Sequence, residues 1–173
     1  YRNVLKGFAV SNLPDAAVEA LQRTPRISRI ERDGIVTVDG TQTPAPSWGL
    51  DRIDSPGPTD GSYTYPNDGS GVTAYIIDTG INFASTDFTG RLATGVDYVD
   101  GGLPDDCHGH GTHVAGTVGG TKYGVAKNVT IVAVRVIGCD GNGLDSDVIA
   151  GIDWVAGNHQ SGQPAVANMS LGG

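Results

Sequence analysis

Two apolar runs most constrain what this chain can fold into. Val72–Ile77 and Val129–Ile137 are near-continuous stretches of aliphatic and β-branched residues. A strand with one wet face alternates apolar with polar residues, so a strand that reads apolar throughout is covered on both faces. Helical spacing appears between and after these runs. A helix is predicted to begin near His110 and to run to about Val118. A second is predicted with Ser146 as its N-cap and Asp147 in its first turn. It continues through Trp154, with Val148, Ile149, Ile152 and Val155 as its buried face. Ala165–Leu171 reads as a further strand. Buried strands alternating with helices imply an α/β domain, a parallel sheet with helices on both faces.

Upstream of about residue 40 the chain reads instead as a small α+β unit. Val4–Val10 has strand composition. Pro14 stands where a helix would begin, Asp15 falls in its first turn, Ala17, Val18 and Leu21 form an apolar stripe, and Pro25 ends it. Ile27–Glu31 and Ile35–Val38 alternate as strands around Arg32-Asp33-Gly34, a hairpin signal. Residues 40–49, with Gly40, Pro44, Pro46 and Ser47, read as an exposed linker.

Composition narrows the function classes. The net charge is −8 and no basic run occurs, which argues against a nucleic-acid partner. No apolar stretch approaches the ~18 residues of a membrane-spanning helix. There are 27 glycines in 173 residues, about twice the usual share of roughly 7%. That excess points to tight turns and close backbone approach. Cys107 and Cys139 are the two cysteines, and their number alone fits either thiols or a bridge.

Open parallel sheets place their sites at the carboxyl ends of the strands. Asp78 follows the first buried run, His110 opens the first helix, and Ser170-Leu171-Gly172-Gly173 leaves the third strand. One rule thus sends an Asp, a His and a glycine-bearing edge to one crevice. A general-base His needs a buried Asp on its second ring nitrogen to fix the tautomer and stabilise the imidazolium as it forms. Singly, each residue has a plainer reading: Asp78 as a turn residue, His110 as a helix cap, the glycine pair as a turn. Three other chemistries also fit some of the residues. Asp78-Thr79-Gly80 suits an aspartic protease, which needs two such aspartates. Cys107, His108, His110 and His113 are zinc-type ligands without regular spacing. Cys107 with His110 would make a thiol-protease pair.

The motifs taken together resemble one family. Ile76-Ile77-Asp78-Thr79-Gly80-Ile81 is similar to the aspartate motif of the subtilisin family of serine proteases. His110-Gly111-Thr112-His113-Val114-Ala115-Gly116-Thr117 resembles its long and specific histidine motif. Tyr123-Gly124-Val125-Ala126 and Ser170-Leu171-Gly172-Gly173 also match. Trp48-Gly49-Leu50-Asp51-Arg52-Ile53-Asp54 resembles the mature start of the proteinase K and aqualysin branch.

The resemblance implies a serine endopeptidase acting on proteins or peptides through an Asp-His-Ser triad. Asp78 would orient and His110 would be the base. Gly141, Gly143, Ser170, Leu171 and Gly172 would line the cleft, where an extended substrate pairs as an added strand. The nucleophilic Ser and oxyanion Asn are expected downstream of residue 173, since no Gly-Thr-Ser-Met-Ala sequence occurs. Tyr1 opens in mid-element and Gly173 ends at a strand edge, so both ends read as truncated, and the chain without its nucleophile is expected to be inactive. Residues 1–41 would be part of an inhibitory propeptide of ferredoxin-like type, cut after Thr41 or Thr43. Residues 42–173 would be the first part of the catalytic domain. The branch also implies a Cys107–Cys139 disulfide, a structural calcium ion near Asp51, Asp54 and Asp60, a monomeric state and secretion. Asp145 replaces an aromatic residue of the family's cleft rim, so basic substrate side chains are expected to be tolerated there.

Overall fold

A computed structural model describes residues 6–32 and 40–172. The chain divides into two compact units, Tyr1–Val38 and Asp39–Gly173.

In the first unit, helix α1 (Asp15–Gln22) forms where expected. Pro14 precedes it in extended conformation, Asp15 lies in the first turn, and Ala17, Val18 and Leu21 are its half-buried stripe. The expected strand Ile27–Glu31 is irregular chain. A strand persists only with a hydrogen-bonded neighbour, and no described residue pairs with this one. Residues 6–10 are likewise irregular, while Val4, Leu5, the Asp33-Gly34 turn and Ile35–Val38 lie outside the described residues. The ferredoxin-like strands are therefore not seen among the described residues.

The second unit begins with a correction to the linker expected at 40–49. Strand β1 (Gly40–Gln42) pairs antiparallel with β2 (Tyr63–Tyr65). Gly40 lies opposite Tyr65, and a Cβ there would fall 2.6 Å from the tyrosine ring. Helix α2 (Trp48–Ile53) follows, with the Ser47 hydroxyl accepting from the Leu50 N–H at 3.3 Å. The glycine and prolines thus mark a strand edge and a helix entry. The backbone of Gly40 and Thr41 is paired with Tyr65 and Thr64.

Four parallel strands form the central sheet. They are β3 (Thr73–Asp78), β4 (Leu92–Asp97), β5 (Thr130–Arg135) and β6 (Ala165–Asn168), in the order β4-β5-β3-β6. Strand β4 escaped the sequence reading because it is short on apolar residues and broken by glycine. Its pairing with β5 is irregular between Ala93 and Val96. A Cβ on Gly95 would fall 1.6 Å from the Ala133 carbonyl oxygen, so only glycine fits that crossing.

Strand alternation divides the core into two layers. Ala74, Ile76, Ile131 and Ala133 face helix α3 (His110–Gly119), meeting Val114, Ala115 and Val118. Tyr75, Ile77, Val132 and Val134 face helix α4 (Asp145–Asn158), meeting Val148, Trp154 and Val155. Each fully buried aliphatic side chain contributes about 1.5–3 kcal/mol of transfer free energy. Helices therefore cover both faces, as the apolar runs require.

Helix α4 departs from expectation in two respects. It begins at Asp145, so Ser146 lies inside the first turn and no side chain caps it. Ile149 and Ile152 are exposed, at 66% and 43%. Gly151 is the buried centre of the contact, where a Cβ would fall 2.7 Å from Val136 Cγ1. The helix thus seats on a narrow Val148–Gly151–Val155 line, which turns Ile149 and Ile152 outward.

Candidate active site

Asp78 is the last residue of β3, and His110 is the first of α3. Their side chains meet, His110 Nδ1 to Asp78 Oδ1, at 2.8 Å. The carboxylate is 2% exposed and the imidazole 46%, so the acid is buried beneath a base that faces solvent. The Thr79 N–H also donates to Asp78 Oδ1, at 2.7 Å. With Nδ1 held by the carboxylate, the tautomer leaves Nε2 as the nitrogen that takes up a proton.

Two glycines allow this approach. Gly109 caps α3 with φ 101°, in the left-handed region that glycine enters freely. Gly111 is so close to the turn after β3 that a Cβ would fall 2.2 Å from the Gly80 carbonyl oxygen.

Asp106 escaped the sequence reading and is the most heavily bonded carboxylate near the pair. Its Oδ1 accepts from the Thr79 hydroxyl (2.8 Å), the His108 N–H (3.0 Å) and the Gly109 N–H (2.8 Å). Its Oδ2 accepts from the Thr112 N–H (2.9 Å) and hydroxyl. The available signal was an Asp just ahead of a helix start, where orphan N–H groups need an acceptor. Burial by itself raises the Asp106 pKa. The bonds from Thr112, Gly109 and Thr79 outweigh it and hold the carboxyl below its ordinary value of 3.8. A depressed folded-state pKa contributes stability that is present above the unfolded pKa and is lost as pH falls through the folded one. Acid unfolding of Asp106→Asn is accordingly expected to show a shallower loss of stability below about pH 4 than the parent, read from urea midpoints across pH.

Cys107 and Cys139 form a disulfide, with Cα atoms 5.1 Å apart. Neither cysteine is free, which removes the thiol-protease pair. Arg135, the last residue of β5, lies beneath the bridge. It donates to Asp97 and Asp100 at 2.8 Å each and to the two sulfurs at 3.4 and 3.6 Å. Burial opposes its charge, but the bonds to Asp100 and Asp97 prevail and raise its pKa. Reducing the bridge, which spans 32 residues, is expected to cost roughly 3–4 kcal/mol in the chain-entropy account. Urea unfolding with and without reductant measures it.

An open cleft of about 430 Å³ adjoins the pair. Gly141, Gly143, Ser170, Leu171 and Gly172 line it together with Asp78 and His110, and His108 and Asp145 also border it. The structure thus gathers all five expected cleft residues. The Ser170 hydroxyl accepts from the Asn168 side-chain amide at 2.9 Å.

Asp51, Asp54 and Asp60, the residues expected near a calcium ion, each accept hydrogen bonds from the backbone that follows α2. Both oxygens of Asp51 accept backbone N–H groups, from Asp60 (2.9 Å) and Gly61 (2.8 Å). Asp54 accepts from the Thr64 N–H and Asp60 from the Ser62 N–H, at 2.6 and 2.8 Å. Among the described residues no group of three His, Cys, Asp or Glu is placed to hold a metal ion, which also leaves the zinc reading without a ligand set.

Residues 69–173 match the model of the Subtilase family, Peptidase_S8. The chain is 53% identical over its whole length to an extracellular serine proteinase of Thermus sp. (strain Rt41A), covering 42% of that protein. It is 52% identical over 98% of its length to alkaline serine exoprotease A of Vibrio alginolyticus, covering 32% of it. A crystal structure of a cold adapted subtilisin-like serine proteinase superposes with a TM-score of 0.71 at 57% identity, over 75% of this chain and 47% of that one. The chain thus spans less than half the length of these relatives. With the aspartate and histidine motifs in contact at the carboxyl edge of a parallel sheet, the chain belongs to the subtilase family.

Proposed function

We propose that this chain carries the base and the orienting acid of a secreted serine endopeptidase. The observation that supports it is the 2.8 Å contact of His110 Nδ1 with buried Asp78, at the mouth of the glycine-lined cleft. In this reading His110 Nε2 takes the proton of a serine hydroxyl as the oxygen attacks the substrate carbonyl. Asp78 stabilises the imidazolium formed, and His110 then passes the proton to the leaving amine. The serine and the oxyanion-hole Asn are supplied from outside residues 1–173. Residues 1–41 act as an intramolecular inhibitor released by a cut after Thr41 or Thr43. The protein works as a monomer, and residues 1–173 alone do not hydrolyse peptides. Two relatives named as an extracellular proteinase and an exoprotease support secretion.

The test is to recover the continuing reading frame and treat the full-length protein with a serine-directed fluorophosphonate. Covalent labelling that disappears in His110→Ala is the expected result. Full labelling in His110→Ala, or a continuation without a candidate serine, overturns the reading.

Asp145 at the cleft edge attracts basic substrate side chains several residues before the scissile bond. Because an edge charge is screened, the gain is expected to be at most a few-fold and to vanish at high salt. A peptide library assayed at low and high salt measures it.

A further inference from the structure

His110 and Asp78 come from different elements, 32 residues apart in sequence, and share one side-chain hydrogen bond. A single bond leaves an imidazole free to swing about its own side-chain torsions. Something else must fix the start of α3 against the end of β3.

We propose that Asp106 is the positioning residue that does this, through Thr79. The Thr79 hydroxyl donates to Asp106 Oδ1 at 2.8 Å and accepts from the Gly111 N–H at 2.9 Å. Thr79 follows Asp78, and Gly111 follows His110. The neighbour of the acid is therefore bonded to the neighbour of the base. An ionised carboxylate only accepts hydrogen bonds, so the single proton of Thr79 has to point at Asp106. That leaves the hydroxyl's lone pairs for Gly111. The same carboxylate takes the N–H groups of His108, Gly109 and Thr112, which fixes the loop entering α3 and its first turn. Charge and hydrogen-bond direction thus agree: a carboxylate is also the group that a helix N-terminus favours.

An asparagine at 106 keeps the shape but offers one acceptor oxygen in place of two, so one of the two sets of donors is left facing an NH₂ group. The clamp opens and the imidazole drifts. A displacement of about 1 Å in a catalytic group can cost on the order of 10²-fold in rate.

The proposal rests on the endopeptidase reading, and its test separates the two. In the full-length protein, Asp106→Asn and Thr79→Val are each expected to lower kcat roughly 10- to 100-fold, with KM within about threefold. Thr79→Ser, which keeps the hydroxyl, is expected to stay within about threefold of the parent. The double variant is expected to be no worse than the worse single, since both break one linkage. Wild-type kcat in Asp106→Asn, or losses that multiply in the double variant, overturn the proposal. If Asp106→Asn does not fold, Thr79→Val and Thr79→Ser decide, and equal activity of these two overturns it. The His110 Nδ1–H resonance in proton NMR supplies a readout independent of turnover. It is expected to remain sharp in the parent and in Thr79→Ser, and to broaden in Asp106→Asn and Thr79→Val. An unchanged resonance overturns the clamp, whereas a parent that shows the resonance but hydrolyses nothing overturns only the endopeptidase reading.

Discussion

Replacing His110 by alanine in the full-length protein is expected to lower kcat by on the order of 10⁶-fold, with little change in KM. That magnitude is carried over from subtilisin, a member of the same family, whose triad deletions define it. The physical reason lies in this site. Asp78 is buried and already holds His110 Nδ1 and the Thr79 N–H, so it cannot reach outward to act as the base itself. His108 also borders the cleft, but among the described residues no carboxylate is hydrogen-bonded to its ring to orient it. In the endopeptidase reading, losing His110 therefore leaves no oriented base among the described residues to take the serine proton. Asp78→Asn is expected to be milder, about 10⁴-fold, because the ring stays in place but the amide favours the wrong tautomer. Steady-state kinetics on one peptide substrate checks both, and a loss below about tenfold in His110→Ala would remove the imidazole from the mechanism.

Gly111→Ala is expected to be the most damaging substitution outside the pair, lowering kcat by about 10²-fold and stability by roughly 1–3 kcal/mol. The added methyl would lie 2.2 Å from the Gly80 carbonyl oxygen, 3.1 Å from the Thr79 hydroxyl and 3.2 Å from Asp78 Cβ. Two of those three neighbours belong to the turn that carries Asp78. They cannot yield separately, so α3 must back away from β3 and stretch the 2.8 Å contact. Gly116 provides the control in the same helix. A Cβ there meets nothing within 4 Å. Gly116→Ala is therefore expected to stabilise by up to about 1 kcal/mol through helix propensity and to leave activity unchanged. Thermal melts and kinetics on the two variants separate a helix effect from an approach effect. Equal behaviour would show that the distance between α3 and the turn after β3 is not what keeps the pair together.

The sequence by itself determined the frame of the site. The two apolar runs became β3 and β5, buried on both faces, and their ends carry Asp78 and the approach to Cys139. Helix α3 starts at His110 because the glycines before and after that residue permit it. These features are local, set by composition and by the chain's own turn chemistry. The tertiary structure decided what depends on a neighbour. Residues 40–42 became a strand only because Tyr63–Tyr65 lie alongside, and β4 is held by β5 despite its glycine. Ile149 and Ile152 face outward because Gly151 lets α4 touch the sheet along one narrow line. Which donors Asp51, Asp54 and Asp60 meet was likewise a question of fold, and backbone N–H groups of residues 60–64 supply them. Asp106 makes the same point within the site. Its place just ahead of a helix start is shared with Asp105, but the folded chain points five donors at it from the end of β3 and the entry of α3. A hydrogen-bond acceptor acquires a role only when its donors are brought to it, and most of these donors come from backbone that folding alone positions.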